Sequence, residues 1–168
     1  MKRLLRLKKR KQNRRKKTPV YVQNLEPRQL LSAVMFDGDL SGAWATVENW
    51  ENDTMPSSGD TATFDGNSPN TAITLSSNTT ISSLNFLSGA SAYTLSNKRF
   101  DIYSVVVDSG VTNDQTVNSV LKGHSNFTAT NNGTGDLLLS SYANTSGDKE
   151  SHYAHTINAQ GDITFRGN

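Results

Sequence analysis

The sequence predicts an all-β protein of short strands, and three features carry that expectation. Apolar residues recur as period-2 pairs: Ile73/Leu75, Leu84/Phe86, Tyr93/Leu95, Phe100/Ile102, Val105/Val107, Phe127/Ala129, Leu137/Leu139 and Ile163/Phe165. That alternation marks half-buried strands. Turn-forming stretches separate the pairs, among them "SSNTT", "LSGASA", "DSG", "NNGTGD" and "AQGD", each rich in residues that reverse a chain. No 3.6-residue periodicity persists after residue 41. Several strand intervals fall at roughly 8–12 residues, which suits either a β-sandwich or the stacked rungs of a solenoid.

The elements follow in order along three zones. Residues 1–17 hold eleven of the seventeen Lys and Arg and no acid, and the remainder holds six basic and fifteen acidic residues. The chain is thus a strongly cationic tail on an acidic body, and the tail is expected to be disordered because like charges repel and little apolar surface can be buried. Residues 18–40 form a junction, "TPVYVQNLEPRQLLSAVMFDGDL". Pro27 suits a first helical turn, where its missing N–H costs nothing, which predicts one short helix over Arg28 to Phe36. From residue 41 to 168 the composition turns to Ser, Thr, Asn, Gly and Asp around the apolar pairs, and this zone is expected to form the β domain. Its last strand ends in a bare turn, "GDITFRGN". An uncapped edge is a liability, so these residues are expected to be the front part of a longer array.

Composition limits the function classes. Apolar residues make up 34% of 168, thin for a three-layer enzyme core and adequate for a narrow β core with a polar skin. There is no cysteine, which removes disulfides and thiolate metal sites. No stretch approaches the ~20 apolar residues of a membrane-spanning helix. A secretory signal needs an apolar segment of about 7–15 residues; here "VYVQNL" is interrupted by Gln23 and Asn24, although a cleavage-like "LLSA" ends at Ala33.

Two stretches resemble known families. "LEPRQLLSA", with Leu25, Glu26, Pro27, Arg28, Leu30 and Leu31 in place and Gln29 at the free position, resembles the LEPR-XLL motif. That motif stands near the N-terminus of large exported or surface repeat proteins, after a basic leader. The resemblance implies a targeting or processing role, with Ala33 as the possible cleavage point. The second stretch runs from "WATVENWENDTMPSSGDTATFDG" through "AITLSSNTTISSLNFLSGASAYTL" and looks like the start of an autotransporter-associated β-strand repeat protein. Trp50, Pro56, Gly59, Asp60, Ala62 and Phe64 fit its opening; Ile81, Leu84, Phe86, Tyr93, Thr94 and Leu95 fit its rung. The likeness covers about residues 44–107 and implies a right-handed β-helix. Independently, Trp44 and Trp50 each offer on the order of 150–250 Å² of burial, enough to cover the open end of a narrow core as a solenoid cap; the alternative is an ordinary pair of core tryptophans in a β-sandwich.

Candidate chemistry is sparse. His152 and His155 stand at i, i+3 in "HYAH" but lack a third ligand, and His124 has no evident partner, so no metal site and no cofactor is expected. "FDGD" and "TNNGTGD" superficially suggest calcium, yet the glycines at 133 and 135 with Asp136 are out of register for the calcium-binding nonapeptide; both read as turns. Asp101 and Asp108 are the only acids amid the strong strands, and nothing pairs them as glycoside hydrolysis requires. No "GxSxG" elbow occurs. Sequons begin at Asn52, Asn78, Asn126, Asn132 and Asn144; they fit an exposed, exported skin, but a chain this rich in Asn, Ser and Thr also produces them by chance, and no site is assigned to them.

These readings converge on a non-enzymatic surface or secreted passenger that contacts extracellular matrix or polysaccharide. Export machinery is the expected partner, with residues 2–17 engaging anionic membrane surface at roughly 1 kcal/mol per basic residue. Nucleic acid is not expected, since the tail has no aromatic residue for base stacking and the body is acidic. The alternatives are a carbohydrate-active β-helix with its catalytic rungs farther along, and, behind it, a basic-tail nucleic-acid binder.

Overall fold

The computed structural model describes residues 32–144 and 156–166. They form a β-solenoid of about four turns, nearly all β and with parallel strands. The strands are β1 (Ala33–Phe36), β2 (Thr61–Phe64), β3 (Ala72–Leu75), β4 (Thr79–Thr80), β5 (Ser83–Phe86), β6 (Thr94–Asn97), β7 (Arg99–Val107), β8 (Gln115–Asn131), β9 (Leu137–Asn144), β10 (Thr156–Ala159) and β11 (Ile163–Phe165). Two 3-10 turns, Val47–Asn49 and Glu51–Asp53, precede β2.

Every pairing between these strands is parallel, and the pairs sort into three stacks. The first runs β1, β2, β5, the second half of β7, the end of β8, then β10. The second runs β3, β6, the start of β8, the start of β9, then β11. The third runs β4, the first half of β7, the middle of β8, then the end of β9. The chain visits the stacks in that order and returns one level up, so each turn supplies the long crossover that a parallel pair needs. Thr61, Ser83, Ser104 and Thr128 are successive register partners, a repeat of 22, 21 and 24 residues. The long strands β7 and β8 serve two or three stacks because the chain passes each corner without leaving the ladder; the register shifts between Ile102 and Ser104 and between Val117 and Val120 mark those corners.

The period-2 pairs predict the inward columns. Ile73, Leu95, Val117 and Leu139 stack through one side of the core, and Ala62, Leu84, Val105 and Ala129 through another, all fully buried. Phe36, Phe64 and Phe86 form a ring ladder with centroids 6.0 and 5.2 Å apart, and Tyr93 lies 5.2 Å from Phe64. Burial pushes the Tyr93 phenol up to about 12, and its hydroxyl donates to Asp65 O at 2.9 Å. Gln115 is the polar exception at an inward position. It is fully buried, accepts from Tyr93 N at 3.2 Å and donates to Ser91 O and Asn113 O at 2.9 and 3.0 Å, so its amide is satisfied within the stack.

One expectation is corrected. The helix over Arg28–Phe36 does not form in its second half, because Ala33–Phe36 is strand β1, in register with Thr61–Phe64. A helix would point Val34 and Phe36 in directions about 160° apart, on the ~100° step per residue of helical geometry. A strand instead sends both into the core, where they are buried. Residues 28–31 lie outside the described residues. The ladder thus begins at Ala33, inside the segment read as a junction.

Candidate functional site

The most elaborate local structure lies in the first turn. After Phe36 the chain leaves the ladder, crosses Gly42–Trp44, where Ala43 bridges Thr74 in parallel, and returns so that Trp50 bridges Phe36 antiparallel. The returning segment therefore covers one end of the outer edge of β1. Asn49 organises it. Its backbone carbonyl accepts from Asp37 N and Gly38 N at 3.0 and 3.1 Å. Its side-chain Oδ1 accepts from Leu40 N and Ser41 N at 3.1 and 2.8 Å, and Nδ2 donates to Ser41 Oγ and Ala43 O at 2.9 and 2.8 Å. The residue is fully buried and uses four side-chain hydrogen bonds, the amide's full ordinary capacity.

The two tryptophans expected to cover the core are both buried in this turn, 2% and 1% exposed. Their centroids are 4.7 Å apart and T-shaped; Trp50 also stands 5.1 Å from Phe36, and Trp44 5.1 Å from Phe100. Edge-to-face pairs of this kind add to the burial of the rings themselves. Trp50 Nε1 donates to Trp44 O at 2.8 Å, whereas Trp44 Nε1 is buried and has no partner among the described residues.

A second knot ties the chain entry to the ladder. Asp60 Oδ1 accepts from Ser32 N and Ser32 Oγ at 3.1 and 2.8 Å, and Oδ2 from Ser57 N and Ser57 Oγ at 2.9 and 2.7 Å. Burial raises the acid, but the hydrogen bonds from Ser57 and Ser32 outweigh it, so its pKa is lowered to about 2 and the group stays a carboxylate through the neutral range. Thr61 N donates to Ser32 O at 2.8 Å. Ala33, the possible cleavage point, is thus the first residue of a clamped strand. Leu25, Glu26, Pro27, Arg28, Leu30 and Leu31 of the targeting motif lie outside the described residues.

Outside the core, polar side chains repeat in columns. Thr74 pairs with Ser96 in the second stack. One and two turns on, Ser140 Oγ donates to Asn118 Oδ1 at 2.6 Å. In the first stack Ser104 Oγ donates to Ser83 Oγ at 2.9 Å. The ladder spaces the strands that carry these side chains about 4.7–4.9 Å apart, close enough for neighbours in a column to hydrogen-bond.

Asp101 forms an ion pair with Arg99 at 2.8 Å, and Asp108 O accepts from Val111 N in a turn at 3.3 Å. His124 stacks on Tyr103 with centroids 4.3 Å apart; His152 and His155 lie outside the described residues. The "TNNGTGD" turn is closed by Asn131, whose Oδ1 accepts from Gly133 N at 3.1 Å and whose Nδ2 donates to Gly135 O at 2.8 Å. A Cβ at Gly133 or Gly135 would run into the carbonyl oxygen of Val111 or Asn113 one turn below, so these glycines permit close stacking. Among the described residues no group of three or more potential ligands is placed to hold a metal ion, and no helix is long and apolar enough to cross a membrane.

Sequence reasoning quoted Asp60 only as part of a motif and passed over Asn49 and Gln115. A polar residue at an inward position of an alternating strand was the available signal for Gln115; Asn49 lies in a loop and gave none. Comparison with protein-family models, with curated proteins and with solved structures finds no significant match.

Proposed function

We propose that the chain is an exported surface or secreted repeat protein, a structural and adhesive passenger without catalytic activity of its own. The observation that carries this reading is the outward column of hydroxyl and amide groups, Thr74, Ser96, Asn118 and Ser140, on a ladder fixed by the core behind it. A regular polar grid on a stiff support offers many weak hydrogen bonds at once, which suits a repeating partner such as polysaccharide or a matrix protein. The basic leader and "LEPRQLL" support the export half of the reading through their resemblance to leaders of surface proteins. Residues 2–17 then hold the chain at an anionic membrane face before translocation. A cut at Ala33 has to precede closure of β1, since a protease acts on the opened chain and β1 is clamped between Asp60 and Thr61–Phe64.

The test is terminal mass spectrometry of the native protein from separated cytoplasmic, envelope and culture fractions. The expected result is a chain in the envelope or medium whose N-terminus lies at or before Val34. An intact Met1 terminus confined to the cytoplasm would overturn the export reading.

A further inference from the structure

Charge is spread unevenly over the solenoid. Among the described residues Lys98, Arg99, Lys122 and Arg166 are the Lys and Arg, against twelve Asp and Glu. Three of those four cations gather at the third stack, where Asp101 is the one acid among the described residues. Along β7 the outward positions are Arg99, Asp101 and Tyr103, about 6.6 Å apart. Arg99 uses two of its five N–H donors on Asp101, at 2.8 and 3.3 Å. Lys122 is the register partner of Asp101 on the next turn, and exposed Lys98 stands at the start of β7; neither forms an ion pair among the described residues. Tyr103 lies flat against His124 of that next turn, with planes 13° apart. Its other face looks over the preceding turn, where Ser82 O accepts from Tyr103 N at 3.0 Å and Thr80 is the partner of Asp101. Side chains that short leave a step below the row and cannot cover a ring. Tyr103 is accordingly 48% exposed.

We infer that this step binds a uronate polysaccharide running along β7, with one pyranose ring on the open face of Tyr103 and carboxylates answered by Arg99 and Lys98. Ring and charge together select this occupant. The flat side of a pyranose presents C–H bonds whose partial positive charge suits the negative face of an aromatic ring. Three cations against one acid, on a domain that is acidic elsewhere, make the step complementary to an anionic chain. A uronate carries its carboxylate directly on the ring, so charge and stacking face arrive together. The three donors that Arg99 keeps free of Asp101 suit that carboxylate. Asp101, in the middle of the row, accepts from sugar hydroxyls; a DNA strand brings no such donor there and sets phosphates against a carboxylate. From Tyr103 back to Lys98 is five residues, about 16 Å of strand, room for a short run of sugars and not for one alone. The inference rests on the adhesive reading for a polysaccharide partner and deepens it by naming the sugar class, on a face separate from the Thr74–Ser140 column.

The test titrates the full chain at physiological salt with trimannuronate and, in parallel, with mannotriose, which has the same rings without carboxylates. Residue-resolved NMR reads both place and affinity. The expected shifts centre on Tyr103, His124 and Arg99. Tyr103→Ala should weaken trimannuronate binding by about fivefold or more, the scale of one aromatic contact, and Tyr103→Phe should keep it because the ring face remains. Lys98→Gln should weaken it by about twofold or more, and mannotriose should bind more weakly than trimannuronate. The cationic tail is the same in every variant, so shifts confined to residues 2–17 with an unchanged affinity in Tyr103→Ala would overturn the site. Shifts along Thr74, Ser96, Asn118 and Ser140 that Tyr103→Ala does not alter would also overturn it, while keeping the adhesive reading. Equal affinity for mannotriose would remove the anionic class, and no shift with either sugar would remove the ligand; either result overturns the inference. Tighter binding of oligothymidylate that Tyr103→Ala abolishes would overturn it by making nucleic acid the occupant.

Discussion

Trp50→Ala is expected to destabilise the solenoid by about 3–5 kcal/mol, the range for deleting a large buried ring. Trp50 is 1% exposed and meets Phe36, Trp44 and Phe64 at centroid distances of 5.1, 4.7 and 6.4 Å, so truncation opens a cavity bounded by three other rings. Chemical denaturation should show the loss as a lower midpoint. A pair of conservative variants separates ring from hydrogen bond. Trp50→Phe gives up the Nε1 bond to Trp44 O and should cost at least ~1 kcal/mol beyond the loss of ring area. Trp44→Phe removes a buried donor that has no partner among the described residues, so its cost should be smaller than that of Trp50→Phe. Equal costs for the two would remove the hydrogen bond from the account.

Asn49→Ala is expected to cost about 2–4 kcal/mol. Its side chain satisfies Leu40 N, Ser41 N, Ser41 Oγ and Ala43 O, and a buried group left unpaired costs about 1–3 kcal/mol, less where water can reach it. Leu40 is well exposed, so water relieves part of that loss. Asn49→Asp is the sharper variant. It keeps the acceptor for Leu40 and Ser41 but turns a carboxylate oxygen toward Ala43 O, replacing an attraction with a repulsion. Thermal unfolding should place Asp below the parent by as much as Ala or more. An Asp variant as stable as the parent would show that the donor half of the amide carries no weight.

Sequence legibility follows from how local each signal is. Pairs such as Ile73/Leu75 and Leu84/Phe86 were readable because alternation alone puts both side chains on one face. The same pattern left sandwich and solenoid equally open; only pairing of Thr61–Phe64 with both β1 and β5 decides it, and pairing over some 20 residues leaves no mark in any window. β1 was misread for the same reason. "SAVMF" has no strong local preference, and its conformation is imposed by its neighbour strand and by the grip of Asp60 on Ser32. Phe100/Ile102 and Val105/Val107 were read as two strands and are one, β7, because the corner between them is turned by a register shift without a break in the ladder. Tryptophan burial in the first turn was foreseeable from size. The bonds of Asn49 were not, since a loop asparagine looks alike whether it holds four partners or none.

The stack is secured from its first turn, where Asn49, Trp50 and Asp60 hold the entry, and within this chain of 168 residues the last described turn is the less protected one. Ile163 is only partly buried against the core and Phe165 is 40% exposed, while Phe64 and Phe86 are fully buried. Residue-resolved hydrogen exchange under native conditions measures this directly, because opening free energies map onto contiguous units. The account predicts the slowest amides in Thr61–Phe64, Ser83–Phe86 and Val105–Val107, with rates rising through Leu137–Leu139 to the fastest in Thr156–Phe165. Uniform protection along the stack, or the slowest exchange in Thr156–Phe165, would contradict it.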